Sequence, residues 1–410
     1  MEMRFRFLPG LLVSVLLLGL SACKTSSSTT VSGTGALFVA TQGDSLVSAY
    51  TIDLTTGKLT ANGAGVATGT TPSAMLLAPS GSALFIVNSN PAITPTVPPT
   101  PCQLPDGAGT ISAYTVKSDG TLSPASGSAT AGLIPLAMAT DSGAHFLFVA
   151  NQGLQCNPAS GTISVFSIQD ATLTKVSDVQ VADPLASSNP GPTAIAVTPD
   201  GKFLYVANQF DGTVTGFSVD ASGVLTRLTP GATATVGTAP AGIDITPDGG
   251  FLYVANSGSS NVSAFAICNQ VVTSCSIPAS PDGALTPVTG SPFSAGLGPA
   301  SIVAAPSGKF LFVVDRQSNQ ISEYKLATGT GELTPNTQAS ISTGSSPAGA
   351  ALRVGTTVVS TTQGTTDYLY VPDLGASSMT AYSFDSTAGI LGLLGSPVTT
   401  GGQPSAVATK

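Results

Sequence analysis

Leu204-Tyr205-Val206-Ala207-Asn208 and Leu252-Tyr253-Val254-Ala255-Asn256 are one phrase written twice. Leu147-Phe148-Val149-Ala150-Asn151 is a third close copy, and looser copies begin at Leu37, Leu84, Leu311 and Leu369. The seven starts are separated by 47, 63, 57, 48, 59 and 58 residues. Each phrase is apolar on both faces up to its last residue, which suits a strand sandwiched between two sheets. A repeat of this length cannot bury such a strand alone, so neighbouring repeats must stack.

Working outward from the Leu204 copy, Thr193 to Thr198 reads as an innermost strand, a. Pro199-Asp200-Gly201-Lys202 is a hairpin turn: Pro presets the first φ, Asp bonds its own backbone and Gly accepts positive φ. Phe203 to Ala207 is strand b, Thr213 to Val219 strand c and Val224 to Leu228 strand d. Pro247-Asp248-Gly249-Gly250 and Pro306-Ser307-Gly308-Lys309 occupy the same a–b turn in other units. Four antiparallel strands repeated seven times give an all-β chain, a seven-bladed β-propeller. Its ends are complementary. The first strand b, at Leu37, has no strand a before it, and the last strand a, Pro404-Ser405-Ala406-Val407-Ala408, has no strand b after it. Pairing Leu37 to Thr41 with this tail completes one blade and closes the ring without an open edge.

Composition narrows the possible partners. Charged residues make up 8% of the chain, against about 25% in ordinary globular proteins. Hydrophobic residues reach 42%, so apolar surface for a core is ample. With a net charge of -8 and no basic patch, nucleic acid is not an expected partner. The 46 Gly and 30 Pro suit short strands joined by tight turns.

Residues 1–22 read as a leader: Arg4 and Arg6 precede an apolar run from Leu11 to Leu20, too short for a comfortable membrane span. Leu20-Ser21-Ala22-Cys23 resembles a bacterial lipobox, so Cys23 is the expected lipidation site and a lipid anchor the expected membrane contact. A plain secretory signal with a chance cysteine is the alternative. Residues 23–35 then form a small-residue tether, and 36–410 the propeller. The expected location is the bacterial cell envelope, as a periplasmic or outer-membrane lipoprotein. Export with four remaining cysteines suggests disulfides. Cys268 and Cys275 bound one short insertion, and Cys102 and Cys156 lie in equivalent loops of consecutive repeats. No Cys-x-x-Cys occurs and there is one His, so neither a metal site nor a cofactor is expected.

The Tyr-Val-Ala-Asn strands, Pro-Asp-Gly-Lys turns and Gly-x-Leu-Thr strand openings (Gly57-Lys58-Leu59-Thr60, Gly331-Glu332-Leu333-Thr334) resemble the lactonase-type propellers, also called the YVTN-repeat or 6-phosphogluconolactonase-like family. The resemblance spans about residues 35 to 410. It implies that a ligand would sit in a funnel at one end of the central channel. It implies no single activity, because propellers with these repeats include sugar lactonases, a muconate cycloisomerase and surface proteins with no known reaction.

The b–c and d–a loops share one face, here called the top. That face carries Gln42, Asn88, Asn151, Gln152, Asn208, Gln209, Asn256, Asp315, Arg316 and Asp373, the candidate ligand-binding and catalytic positions. The recurring Asn reads as a turn residue whose amide bonds local backbone, with ligand contact as its other role. Arg316 could hold a carboxylate or phosphate in a fork, or pair with Asp315 in a structural ion pair. Arg353 and Asp244 fall on inner strands, where each could reach the channel or be packed and paired. His145, the only histidine, lies in an a–b turn on the opposite face and reads as an exposed turn residue. Long connections at Ser89 to Gly109, Gln152 to Gly161 and Val176 to Gly191 would line one side of the top face. The leading expectation is a ligand- or protein-binding scaffold, taking a small carbohydrate-like ligand or an envelope protein. The alternative is a lactone hydrolase acting on a sugar-type lactone in the funnel. Few basic residues make phosphate recognition hard to build.

Overall fold

The computed structural model describes residues 34–89, 107–126, 128–183, 189–229, 233–268, 282–348, 360–361 and 364–410. They form seven small antiparallel sheets, one per repeat. Strands are named a to d from the channel outward, and blades 1 to 7 by the order of their inner strands. The a strands are Pro72–Leu77, Pro135–Thr140, Pro192–Val197, Pro240–Ile245, Pro299–Ala304, a bridge at Pro347, and Pro404–Thr409. In blade 6 a short strand, Ser360–Thr361, also pairs with the start of Gly364–Asp373, and residues 349–359, Arg353 among them, lie outside the described residues.

Closure follows the expected pairing. Pro404–Thr409 pairs antiparallel with Thr34–Thr41, Leu37 opposite Thr409 and Val39 opposite Val407. The tail is therefore strand a, and the head strands b to d, of blade 7.

Strand b is the centre of each blade and is buried along its length, as in Ala83–Asn88, Phe203–Asn208, Phe251–Asn256 and Phe310–Asp315. The core is accordingly not one mass but seven layers, each filling one seam between adjacent blades. Burying each Leu, Val or Phe there contributes roughly 1.5–3 kcal/mol. Polar tethers cross the same seams. Tyr205 Oη donates to the Gly283 carbonyl at 2.6 Å, Tyr253 to Gly331 at 2.8 Å and Tyr370 to Gly57 at 3.0 Å. The acceptor in each case is a glycine at positive φ in the next blade's c–d turn, packed on an aromatic ring that a Cβ would strike.

The a–b turn behaves as its residues dictate. Gly201 adopts φ 72°, and Asp200 Oδ1 accepts from Lys202 N at 3.1 Å and Thr198 Oγ1 at 2.6 Å. Strand d departs from the four-strand pattern. In blades 1, 3, 4, 6 and 7 it is split into two short pieces on the same strand c, as with Leu225–Arg227 and Thr233–Thr235. In blade 2 it runs unbroken over Thr172–Gln180. The stretch from Val176 is therefore strand as far as Gln180, and the expected long connection begins only at Val181.

Candidate functional site

One backbone device recurs at the top of every blade. The residue before each inner-strand proline has positive φ: Thr71, Ile134, Gly191, Ala239, Gly298, Ser346 and Gln403. A non-glycine residue there is strained, and such strain persists where the surroundings over-determine it. The surroundings here are one hydrogen bond repeated seven times. The carbonyl of each of these residues accepts the backbone N–H of the residue just after strand b: Ser89, Gln152, Gln209, Ser257, Arg316, Leu374 and Gln42 respectively, at 2.8–3.1 Å. Seven side chains are thus held around the mouth of the channel.

Six of them, all but Ser89, line a cavity of about 850 Å3 that runs down the channel. Its deeper wall comes from the inner strands, mostly small or apolar, with Ser73, Thr193, Ser301 and Ser405 among them. Ser405 and Ser73 turn their hydroxyls to the next blade's proline carbonyl, Pro72 and Pro135, at 2.7 and 2.8 Å. These serines stitch the inner ring.

The strand-end residues behave differently from the expectation. Asn88, Asn151, Asn208 and Asn256 are not turn residues and do not line the cavity. Each is the last residue of strand b, fully buried, with its side chain directed into the blade. The Asn208 amide donates to Thr213 Oγ1 and Thr215 Oγ1 at 3.0 and 2.9 Å, and the Asn151 amide to Thr162 Oγ1 and Ser164 Oγ at 3.1 and 3.0 Å. Asn88 and Asn151 also accept from the d–a loop at Gly69 N and Gly132 N. The side chain clamps strands b and c and the incoming loop, a structural task. Asp315 and Asp373 occupy the same place, taking Ser322 Oγ at 2.6 Å and Thr380 Oγ1. Gln42, Gln152, Gln209 and Arg316, one residue further along, are the members of the expected top-face set that face the cavity.

Asp315 and Arg316 do not form the expected ion pair. Adjacent strand residues point to opposite sides, so Asp315 enters the blade while Arg316 turns to the channel. Arg316 Nε donates to the Pro347 carbonyl at 3.1 Å, and no ion pair among the described residues involves Arg316. Partial burial pulls its pKa down from the ordinary arginine value. Burial pushes Asp315 up to about 6 despite its hydrogen bonds from Ser322, Gly296 and Gln320.

Asp244 does reach the channel wall. Its carboxylate accepts from Ile245 N and from Ala304 N of the next blade, both at 2.8 Å. Desolvation outweighs these bonds and lifts its pKa to about 6. Asp244 lies five residues beyond Ala239, the mouth-level residue of its blade, which is roughly 15 Å at the ordinary strand rise. Arg316 at the mouth and Asp244 near the deep end therefore do not flank one reacting atom. His145 is at the opposite face, bonded to Asp141 at 2.8 Å with its side chain 73% exposed.

Sequence reading missed Ser257, Gln317 and Leu374 at the mouth. The signal was present: each follows a strand b phrase by one or two residues. Among the described residues no group of three or more His, Cys, Asp or Glu could hold a metal ion. Cys102, Cys275 and most of Ser89 to Gly109 lie outside the described residues, as does Cys23.

The family model described as Lactonase, 7-bladed beta-propeller matches residues 36–171 and 155–273, more than half of the chain. The chain belongs to this lactonase propeller family. Solved structures agree on the fold. The periplasmic gluconolactonase of Pseudomonas aeruginosa is similar with a TM-score of 0.70 at 20% identity, covering 92% of this chain and 99% of its own. A candidate 6-phosphogluconolactonase from Bacteroides uniformis gives 0.70 at 18% identity, covering 92% and 99%. A Lactobacillus plantarum protein gives 0.68 at 21% identity, covering 92% and 100%. No curated protein matches the chain. At such identities the neighbours establish the lactonase propeller fold, and chemistry must be argued from the mouth of this channel.

Proposed function

We propose that this chain is a lactone hydrolase that takes a sugar-type lactone at the channel mouth. The observation that carries this reading is Arg316: the one cationic side chain among the described cavity-lining residues of a lactonase-family propeller. Its Nε is fixed on Pro347 O, leaving the terminal nitrogens for a ligand oxygen. A guanidinium facing a lactone carbonyl stabilises the oxyanion that forms when water adds to the carbon. The ring C–O bond then breaks, the released alkoxide takes a proton from solvent, and the proton of the attacking water passes to solvent. The product is a hydroxy acid, whose carboxylate Arg316 also holds. An oxyanion donor of this kind contributes on the order of 10²–10³ in rate.

A panel of lactones, followed by acid release at constant pH, tests this. Wild-type protein should hydrolyse a polyhydroxylated lactone, and Arg316→Ala should lose on the order of 10² of kcat/KM. Loss of the lactonase reading would follow from equal rates in the two proteins.

A second reading is ligand binding without hydrolysis, in a scaffold or capture module. It is favoured by the separation of Asp244 from the mouth and by the position of His145, which leave no described general base beside Arg316. Tight, calorimetrically measured binding of a hydroxy acid with no hydrolysis would select it.

The same proposal places the protein at the envelope, anchored through Cys23, with Cys102–Cys156 and Cys268–Cys275 bridges. The lipobox supports the first point. The second is supported by Cys156 and Cys268, neither of which is a free thiol. Cys23→Ser should release the protein from membranes, and mass spectrometry with and without reductant checks the bridges.

A further inference from the structure

The mouth of the channel is chemically lopsided. Arg316 stands on blade 5, while Gln152 and Gln209 stand on blades 2 and 3, three and two blades away around the ring. Gln152 Nε2 donates to Gln209 Oε1 at 2.7 Å. An amide has an acceptor oxygen and a donor NH2 group. Once two amides are joined by one bond, an oxygen of one and an NH2 of the other remain side by side. That alternation is complementary to two neighbouring hydroxyls, each of which donates and accepts.

The pair is also held in place. Gln152 N is bonded to Ile134 O at 2.9 Å and Gln209 N to Gly191 O at 2.8 Å. Asn189, 1% exposed, locks the two loops together: its amide donates to Gln152 O at 2.6 Å and Leu154 O at 3.1 Å, while its oxygen accepts from Gly191 N at 2.9 Å. Gly161 leaves room for it, since a Cβ there would lie 2.0 Å from Asn189 Oδ1. One buried amide therefore fixes the backbone of both glutamines. Binding groups positioned this way lose little freedom when a ligand arrives.

We propose that Gln152 and Gln209 form a vicinal-diol-reading subsite, positioned by Asn189, and that with Arg316 they select an unphosphorylated, polyhydroxylated monocarboxylate or its lactone. Among the described lining residues a single guanidinium shares the cavity with neutral amides and hydroxyls and, deeper on the wall, with one carboxyl, Asp244, and the chain carries a net charge of -8. That field suits one negative charge on the ligand and opposes a phosphate dianion. The proposal rests on the lactone reading for the identity of the site, but its test does not require turnover.

The experiment is calorimetric binding of gluconate, hexanoate and 6-phosphogluconate to wild type, Gln152→Ala, Gln209→Ala and Arg316→Ala. Gluconate and hexanoate share a six-carbon monocarboxylate and differ in hydroxyls. Wild type should favour gluconate over hexanoate by at least tenfold, roughly one or two hydrogen bonds' worth, and should not favour 6-phosphogluconate. Either glutamine variant should bring the gluconate–hexanoate ratio close to one. Arg316→Ala should weaken both ligands alike and keep the ratio. A ratio unchanged by both glutamine variants, preference for the phosphorylated acid, or no gluconate binding would each overturn the proposal. Gluconate binding with no hydrolysis of any lactone would overturn only the hydrolase reading.

Discussion

Blades 1 to 4 end strand b on Asn, and blades 5 and 6 end it on Asp. The backbone at these ends is the same: every one is fully buried and reaches a hydroxyl or amide two positions into strand c, Ser112, Ser164, Thr215 and Ser263 in the first group, Ser322 and Thr380 in the second. Only the atom differs, an oxygen for an NH2. In the Asn blades the clamp is neutral at any pH. In the Asp blades burial raises the pKa of both carboxyls, Asp315 to about 6. The charged sector is wider still. Glu323 on strand c of blade 5 is 1% exposed and pushed up to about 7 by burial, and Asp244 at the seam of blades 4 and 5 to about 6. Shape complementarity within a repeat is thus separable from protonation, and this propeller varies the second while keeping the first.

The largest consequence is a dependence of stability on pH. An acid whose folded pKa exceeds its unfolded value binds its proton more tightly when folded. The stability it contributes is complete below the unfolded pKa, near 4, and is lost as pH rises through the folded value. For Asp244, Asp315 and Glu323 that window runs from about pH 4 to about pH 7. Thermal unfolding between pH 4.5 and 8 should show Tm falling by several degrees, with the fall ending near pH 7. Combining Asp244→Asn, Asp315→Asn and Glu323→Gln should flatten most of it. A Tm that rises with pH over this range would contradict the assignment of buried, proton-binding acids.

The contrast sharpens if the charge is moved. Asn208→Asp places a carboxyl in a neutral blade, where Thr213 and Thr215 hydroxyls already accept from the amide. The Thr215 hydroxyl can turn to donate, as Ser322 does to Asp315, whereas the Thr213 hydroxyl already donates to Asp211. The substitution should be close to neutral at pH 5. At pH 8 it should cost roughly 1–3 kcal/mol, the range for a poorly compensated buried polar group. Denaturant unfolding at the two pH values measures the difference.

How much of this was legible in the sequence follows from the same contrast. Periodic burial is written in the chain, because an apolar strand b has one physical meaning. The proline and glycine punctuation located the turns, and the unmatched ends predicted the pairing of Leu37 to Thr41 with the tail from Pro404. The direction of a side chain at a strand end is not written. Asn at that position satisfies a turn, a ligand or a cross-strand clamp equally well, and only its place as the last residue still paired in strand b, one before the channel-facing residue, decides that it reaches the strand c hydroxyls. The same one-residue step sends Asp315 inward and Arg316 to the mouth. The depth of Asp244 was unreadable for a related reason: a strand's alternation says which face a residue takes, not how far down the channel it lies.

The smallest effects test the seam tethers, where blade 5 departs from blades 3 and 4 while blade 6 keeps its tyrosine, Tyr370. In blades 3 and 4 the strand b tyrosines Tyr205 and Tyr253 donate to the next blade's turn carbonyl. Blade 5 has Phe312 at that position and no hydroxyl to offer. There Asn336, 4% exposed, donates to the Gly389 carbonyl in its place, and it also touches Glu323 Oε2 at 3.4 Å. Glu323 is the cross-strand partner of Phe312, so the acid sits beside the missing phenol. Asn336→Ala removes the donor to Gly389 and the amide against the carboxylate together. It should cost about 1–3 kcal/mol and push the Glu323 pKa further up, so its penalty grows with pH. Tyr253→Phe removes one neutral hydrogen bond and keeps the ring that fills the seam. It should cost about 1 kcal/mol at both pH 5 and pH 8. The distinction lies in slope more than size: a pH-independent Asn336→Ala would mean that Glu323 does not feel the amide, and that the acid of blade 5 and the tether beside it are independent features.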